Sequence, residues 1–142
     1  MVNEITLKYS APEVSGPILN SSSASERFFR SVWADDMDAI ERVYVAFMDA
    51  SLTVKGYALL SSGGITGSVL DLRILFGMAC KSLATALILA HNHPAGSLSP
   101  SKADVDVTRR AVEAGKLLDI KICDHVILTR SGLYSFADEG MI

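Results

Sequence analysis

The chain has 142 residues, 49% hydrophobic and 20% charged, with a formal net charge of −3 and a pI near 5.5. That length predicts a single domain able to build its core without disulfides or a structural metal, and the acidic balance excludes a general attraction to nucleic acid while leaving room for a local basic patch. No apolar run approaches the ~18 residues of a membrane span, and the N-terminus lacks the basic-then-apolar layout of a signal peptide, so the expected compartment is the cytoplasm.

Residues 1–21 read as an N-terminal arm. Ile5, Leu7 and Tyr9 alternate, which predicts an edge strand before Pro12, Gly16 and Pro17 break the pattern. Residues 22–142 form the predicted domain. Ser21, Ser22, Ser23 and Ser25 offer N-caps for a helix to about Trp33, with Phe28, Phe29, Val32 and Trp33 toward the core. Asp35, Asp36 and Asp38 read as a solvated acidic turn. Glu41 to Met48 and Leu52 to Leu60 are strand-like, and Asp49-Ala50-Ser51 between them predicts an antiparallel hairpin. Glu41 opens the first strand in phase with Val43, Val45 and Phe47, and a carboxylate in register with apolar neighbours is uncommon without a task or a partner.

Ser61-Ser62-Gly63-Gly64 and Gly67 predict a turn, then a helix from about Ser68 to Lys81 with Leu72, Leu75, Phe76 and Ala79 as its apolar stripe. Thr85 to Ala90 reads as a short buried strand. If it runs on for three residues, its period of two points His91 and His93 to the same side. Ser101 to Leu118 reads as a helix, Leu118 to Leu128 as a turn and a strand, and Leu133 to Phe136 as a last short strand. Helices alternating with strands predict an α/β domain. Cys80 and Cys123 lie in no metal-binding spacing and read as small buried hydrophobes.

Two imidazoles on one side of a strand end need a third ligand to hold a metal, and Asp104 lies across the Pro94–Pro100 loop, just inside the next helix. Two His and one carboxylate, with a fourth position left for water, make the ligand set of a catalytic zinc. Ser101 and Asp104 also have the sequence form of a helix capping box. Ser99-Pro100 offers a better helix start, since Pro is favoured at the first helical position. In that register Ser99 caps, and the Asp104 carboxylate is free for a cation.

The order H-x-H, seven residues, S-x-x-D, carried by His91, His93, Ser101 and Asp104, resembles the JAMM motif of the JAB/MPN metalloprotease fold. With His91-Asn92-His93-Pro94, Gly96 and Pro100 around it, the chain from about Ser22 onward is similar to the RadC family. The resemblance implies a single JAB/MPN domain, cytidine-deaminase-like, with a mixed sheet and helices packed on it. It also implies zinc on His91, His93 and Asp104, an oxyanion-stabilising role for Ser101, and Glu41 as general acid and base. A second capping residue is the other reading of Ser101, and Glu26 is the rival of Glu41. Asp124-His125 resembles a RadC dipeptide of no assigned role; His125 is read as a satisfied core histidine rather than a ligand. Ala95, Gly64-Ile65 and Asp71-Leu72-Arg73 depart from the family pattern, and none of them removes a ligand.

Three functions follow. The first is a zinc hydrolase of the peptidase or isopeptidase type, its peptide substrate and oligomeric state open. The second is a DNA-repair or mobile-element accessory protein, favoured by Arg109, Arg110, Lys116 and Lys121 and opposed by the interleaved Asp104, Asp106 and Glu113. Longer RadC-type proteins carry an N-terminal helix-hairpin-helix segment, for which this chain has no room. The third, a metal-free scaffold, ranks last because every ligand is kept. Other H-x-H enzymes do not fit: barrel amidohydrolases need about 250 residues, and zinc deaminases need H-x-E with P-C-x-x-C.

Overall fold

The computed structural model describes residues 1–63 and 70–142, so the turn and helix start expected at Gly64, Gly67 and Ser68, like Ile65, lie outside the described residues. In chain order the elements are α1 (Ser22–Val32), β1 (Arg42–Met48), β2 (Val54–Ser62), α2 (Leu72–Lys81), β3 (Ala86–Asn92), α3 (Lys102–Leu118), β4 (Lys121–Leu128) and β5 (Leu133–Ser135). The strands form a mixed sheet in the order β2-β1-β3-β4-β5, in which β3 and β4 are parallel and the other pairs antiparallel. The α/β domain expected from the alternation of elements is the one observed.

β3 is central, and its composition explains why. All seven of its residues are buried, as a strand covered on both faces requires. Ala86, Ile88 and Ala90 meet Phe29 of α1 and Leu19, whereas Leu87 and Leu89 meet Leu75 and Phe76 of α2 and Ala111 of α3. Each fully buried large apolar side chain contributes about 1.5–3 kcal/mol. Helix α3 then returns into β4 through Asp119, which is left-handed at φ 56°, and Gly115 is where they meet: a Cβ there would lie 2.3 Å from the Ile120 carbonyl oxygen.

Several expectations are corrected. Ile5, Leu7 and Tyr9 form no strand; Ile5 is 98% exposed and has no sheet face to cover. The first sheet-like contact comes later, where Ile18 pairs with Thr53 and Leu19 N–H donates to the Leu52 carbonyl at 2.9 Å. Strand β2 begins at Val54 rather than Leu52, because Leu52 takes a left-handed φ of 63° in a turn held by Asp49, whose carboxylate accepts from Ser51 and Thr53 N–H at 2.9 and 3.0 Å. Ser61 and Ser62 belong to β2, paired with Val43 and Arg42. The acidic turn is more than solvated surface, since Asp36 clamps the Arg42 guanidinium and Asp38 lies 3.0 Å from Arg130. Cys80 is exposed and Cys123 half-buried, and both are unpaired.

Candidate metal centre

The alternation of β3 puts His91 in phase with Leu87 and Leu89, on the α3 side of the sheet, directly across from Val43 of β1. His93 lies just past the strand, but its N–H still bonds the Leu128 carbonyl at 3.0 Å, which keeps its side chain beside that of His91. The chain then turns through Gly96, whose φ of 91° suits glycine, and the Ser97 carbonyl comes within 2.8 Å of His93 Nδ1. The two Nε2 atoms converge to 2.9 Å.

Asp104 closes the group from the first turn of α3. Its carboxylate lies 3.2 Å from His91 Nε2 and 3.1 Å from His93 Nε2. Glu41, one residue before β1, completes a set of four ligand atoms all within 4.8 Å of one another. A cavity of about 330 Å³ opens beside them, lined by Glu41, Val43, Leu70, His91, Asp104 and Arg110 among others.

The helix start departs from the reading above. Ser101, not Ser99, is the N-cap, and it forms a full capping box with Asp104: Asp104 N–H donates to Ser101 Oγ at 3.0 Å, and Ser101 N–H donates to Asp104 Oδ2 at 2.8 Å. Pro100 therefore precedes the helix. The Asp104 carboxylate is not free in the sense expected; it fastens the helix end and faces both imidazoles at once. The Ser101 N–H is likewise engaged, leaving the hydroxyl proton as its open donor.

The protonation pattern is one that a cation could satisfy. A carbonyl can only accept, so His93 carries its proton on Nδ1 and turns a bare Nε2 toward Asp104 and His91. Asp104 favours the protonated ring, whose Nε2–H can donate to it, and so raises the His93 pKa above its usual value. Burial pushes the Asp104 carboxyl up, but the hydrogen bonds that His91 and His93 donate to it when their rings are protonated outweigh burial and hold the group well below the carboxylate range. Nitrogen and oxygen acceptors within about 3 Å repel one another unless a cation or a shared proton lies between them. A tetrahedral zinc with bonds of roughly 2.0–2.2 Å spaces its ligands ~3.3–3.6 Å apart. The observed 2.9, 3.1 and 3.2 Å fit that within a few tenths of an ångström.

One residue missed by sequence reasoning holds Glu41 in place. Asn92 points to the opposite face from His91 and is fully buried. Its oxygen accepts from Arg42 N–H at 2.7 Å, and its amide donates to the Met37 and Ile40 carbonyls at 2.7 and 2.9 Å. Gly63 N–H bonds the Glu41 carbonyl at 2.8 Å from the other side. The signal was present in the alternation: Asn92 is the polar member of the series Ala86, Ile88, Ala90.

These features define a class, an α/β domain with a two-histidine, two-carboxylate metal-type cluster where its central strand ends against a helix N-terminus. The chain belongs to the RadC-like JAB domain family, whose model matches residues 19–141. It is 46% identical over 101 residues to a UPF0758 protein of Flavobacterium johnsoniae, covering 71% of this chain and 44% of that protein. To UPF0758 proteins of Porphyromonas gingivalis and Thermotoga maritima it is 39% and 37% identical, covering 72% and 76% of this chain and 45% and 50% of theirs. The chain thus spans about half the length of these relatives.

Proposed function

We propose that this chain is a zinc-dependent hydrolase of the JAMM peptidase or isopeptidase type. The observation that carries the reading is the convergence of His91, His93 and Asp104 on one point, with a fourth donor, Glu41, at its margin. Bound to such residues, zinc supplies Lewis-acid chemistry, polarising a carbonyl and bringing the pKa of water to about 7.

The chain's own residues would do the rest. Glu41 takes a proton from the attacking water and delivers it to the leaving amine, the work of a carboxylate near a scissile bond. The Ser101 hydroxyl, whose proton is uncommitted, donates to the developing oxyanion. Val43 and Leu70 give the cavity apolar walls against which a substrate side chain excludes water. Among the described residues no helix is long and apolar enough to cross a membrane, and both cysteines are unpaired, so this reading places the protein in the reducing cytoplasm.

The test is metal content. Wild type should carry one zinc per chain, and His93→Ala and Asp104→Ala should lose it. Glu41→Gln should keep the metal and lose hydrolysis of peptide or isopeptide substrates. Protein purified without chelators that neither holds nor takes up a divalent ion would sink the reading.

A further inference from the structure

Behind His91 lies a second buried group that the hydrolase reading does not use. His125 Nε2 is 2.7 Å from His91 Nδ1, and His125 Nδ1 is 2.5 Å from the Thr108 hydroxyl, which in turn is 2.6 Å from the Asp104 main-chain carbonyl. His125 and Thr108 are 3% and 2% exposed, and Phe136 stacks on the His125 ring at 4.9 Å.

The protons in this series can run only one way. The Asp104 carbonyl has none to give, so the Thr108 hydroxyl donates to it. Thr108 must then accept from His125, which fixes the His125 proton on Nδ1 and leaves Nε2 bare. The short contact to His91 therefore takes its proton from His91 Nδ1. His91 Nε2, the atom facing His93 and Asp104, is left with its lone pair. A core histidine that needed only satisfaction could have used either tautomer; this one has a single arrangement.

Its placement depends on one irregularity. The register of β4 against β3 slips between Ile122, opposite Leu87, and Asp124, opposite Ile88, so Cys123 is an extra residue. Such a bulge shifts every later side chain to the other face. Asp124 consequently turns to the α1 side, and His125 joins Leu89 and His91 on the α3 side.

Resting on the metal-hydrolase reading, we propose that His125 and Thr108 are positioning residues for the metal site, holding His91 in the one tautomer whose bare nitrogen faces the cation. The series begins at the backbone of Asp104 and ends beside the same residue's carboxylate. It thereby ties the first turn of α3 to the orientation of His91. Partners of this kind typically change metal affinity by 10- to 100-fold.

The direct measurement is ¹⁵N NMR of the imidazole nitrogens in the full chain, metal-free and zinc-loaded. We expect a proton on Nδ1 of both His125 and His91 in each state; a His125 protonated on Nε2 overturns the proposal. Zinc affinity by chelator competition is the second readout. His125→Phe keeps the ring stacked on Phe136 but cannot accept, and should weaken zinc by roughly 10- to 100-fold. His125→Gln, with an acceptor near the Nε2 position, should recover part of that. Unchanged affinity in folded His125→Phe overturns the proposal, and should that variant not fold, Thr108→Val decides: about tenfold weaker zinc supports it, wild-type affinity overturns it. A wild type that takes up no zinc defeats the hydrolase reading instead, while the tautomers of the metal-free protein still decide the positioning claim.

Discussion

Asp104 and Asp124 lie on opposite faces of the sheet and are satisfied in opposite ways. Asp124, 6% exposed, accepts from three protein donors: the Ser135 hydroxyl at 2.6 Å, Ala137 N–H at 3.0 Å and His125 N–H at 2.7 Å. Asp104 has one dedicated N–H, from Ser101, and otherwise faces two imidazole nitrogens. Donors and acceptors balance around Asp124, so it knits β4, β5 and the tail together. Around Asp104 acceptors are in excess, the arrangement that the proposed cation would complete.

The sharpest way to break this comparison is to exchange the consequences. Asp124→Ala strands three donors, each worth roughly 1–3 kcal/mol when buried and unpaired. It should cost about 3 kcal/mol of stability in a denaturant titration and leave zinc stoichiometry unchanged. Asp104→Ala should do the reverse, losing the metal while the metal-free protein loses about 1 kcal/mol, the value of a helix cap. An Asp124→Ala protein that folds normally but binds no zinc would erase the distinction.

The same contrast shows what the sequence could and could not disclose. The apolar periodicities placed α1, the β1–β2 hairpin, β3 and α3 because each buries a regular face, and H-x-H at the end of β3 needed only that alternation to bring His91 and His93 together. Asp104 is legible from its spacing, yet the helix start falls two residues later than the local signals favour, since Ser99-Pro100 reads as the better start and Ser101 is the N-cap. Tertiary contact with His91 and His93 selects between them. His125 is the satisfied core histidine expected, buried and bonded at both ring nitrogens, but the bulge at Cys123 that turns it toward His91 leaves no local trace, and without it the histidine would face α1. The alternation at Ile5, Leu7 and Tyr9 failed for the opposite reason: a local pattern without a neighbouring strand is not a strand.

Asn92 offers a smaller and more selective perturbation. Its three hydrogen bonds fix the segment that carries Glu41 without touching the cluster of nitrogens. Asn92→Ala should cost about 2 kcal/mol and keep zinc bound. Turnover in the proposed hydrolysis should fall about tenfold, because Glu41 loses its anchor and a misplaced proton carrier is penalised steeply. Kinetics alongside metal analysis would separate the two effects. Loss of zinc together with activity would mean that Asn92 supports the ligands rather than Glu41.

The mildest effect is in pH. Burial raises the Asp124 carboxyl above its ordinary value of 3.8, against the pull of its hydrogen bonds from Ser135, Ala137 and His125. The folded chain then binds that proton more tightly than the unfolded one, so this group's contribution to stability grows as pH falls through the raised value and levels off below 3.8. Asp104, held below the ordinary 3.8 in the metal-free protein, has the opposite sign: its contribution is full above 3.8 and lost as pH falls through the lowered value. Denaturant midpoints of the metal-free wild type, Asp124→Asn and Asp104→Asn across acidic pH should therefore yield difference curves of opposite slope. Parallel curves would mean that the two carboxylates share one electrostatic environment, and the separation of a scaffold face from the face of the proposed cation site would fail with them.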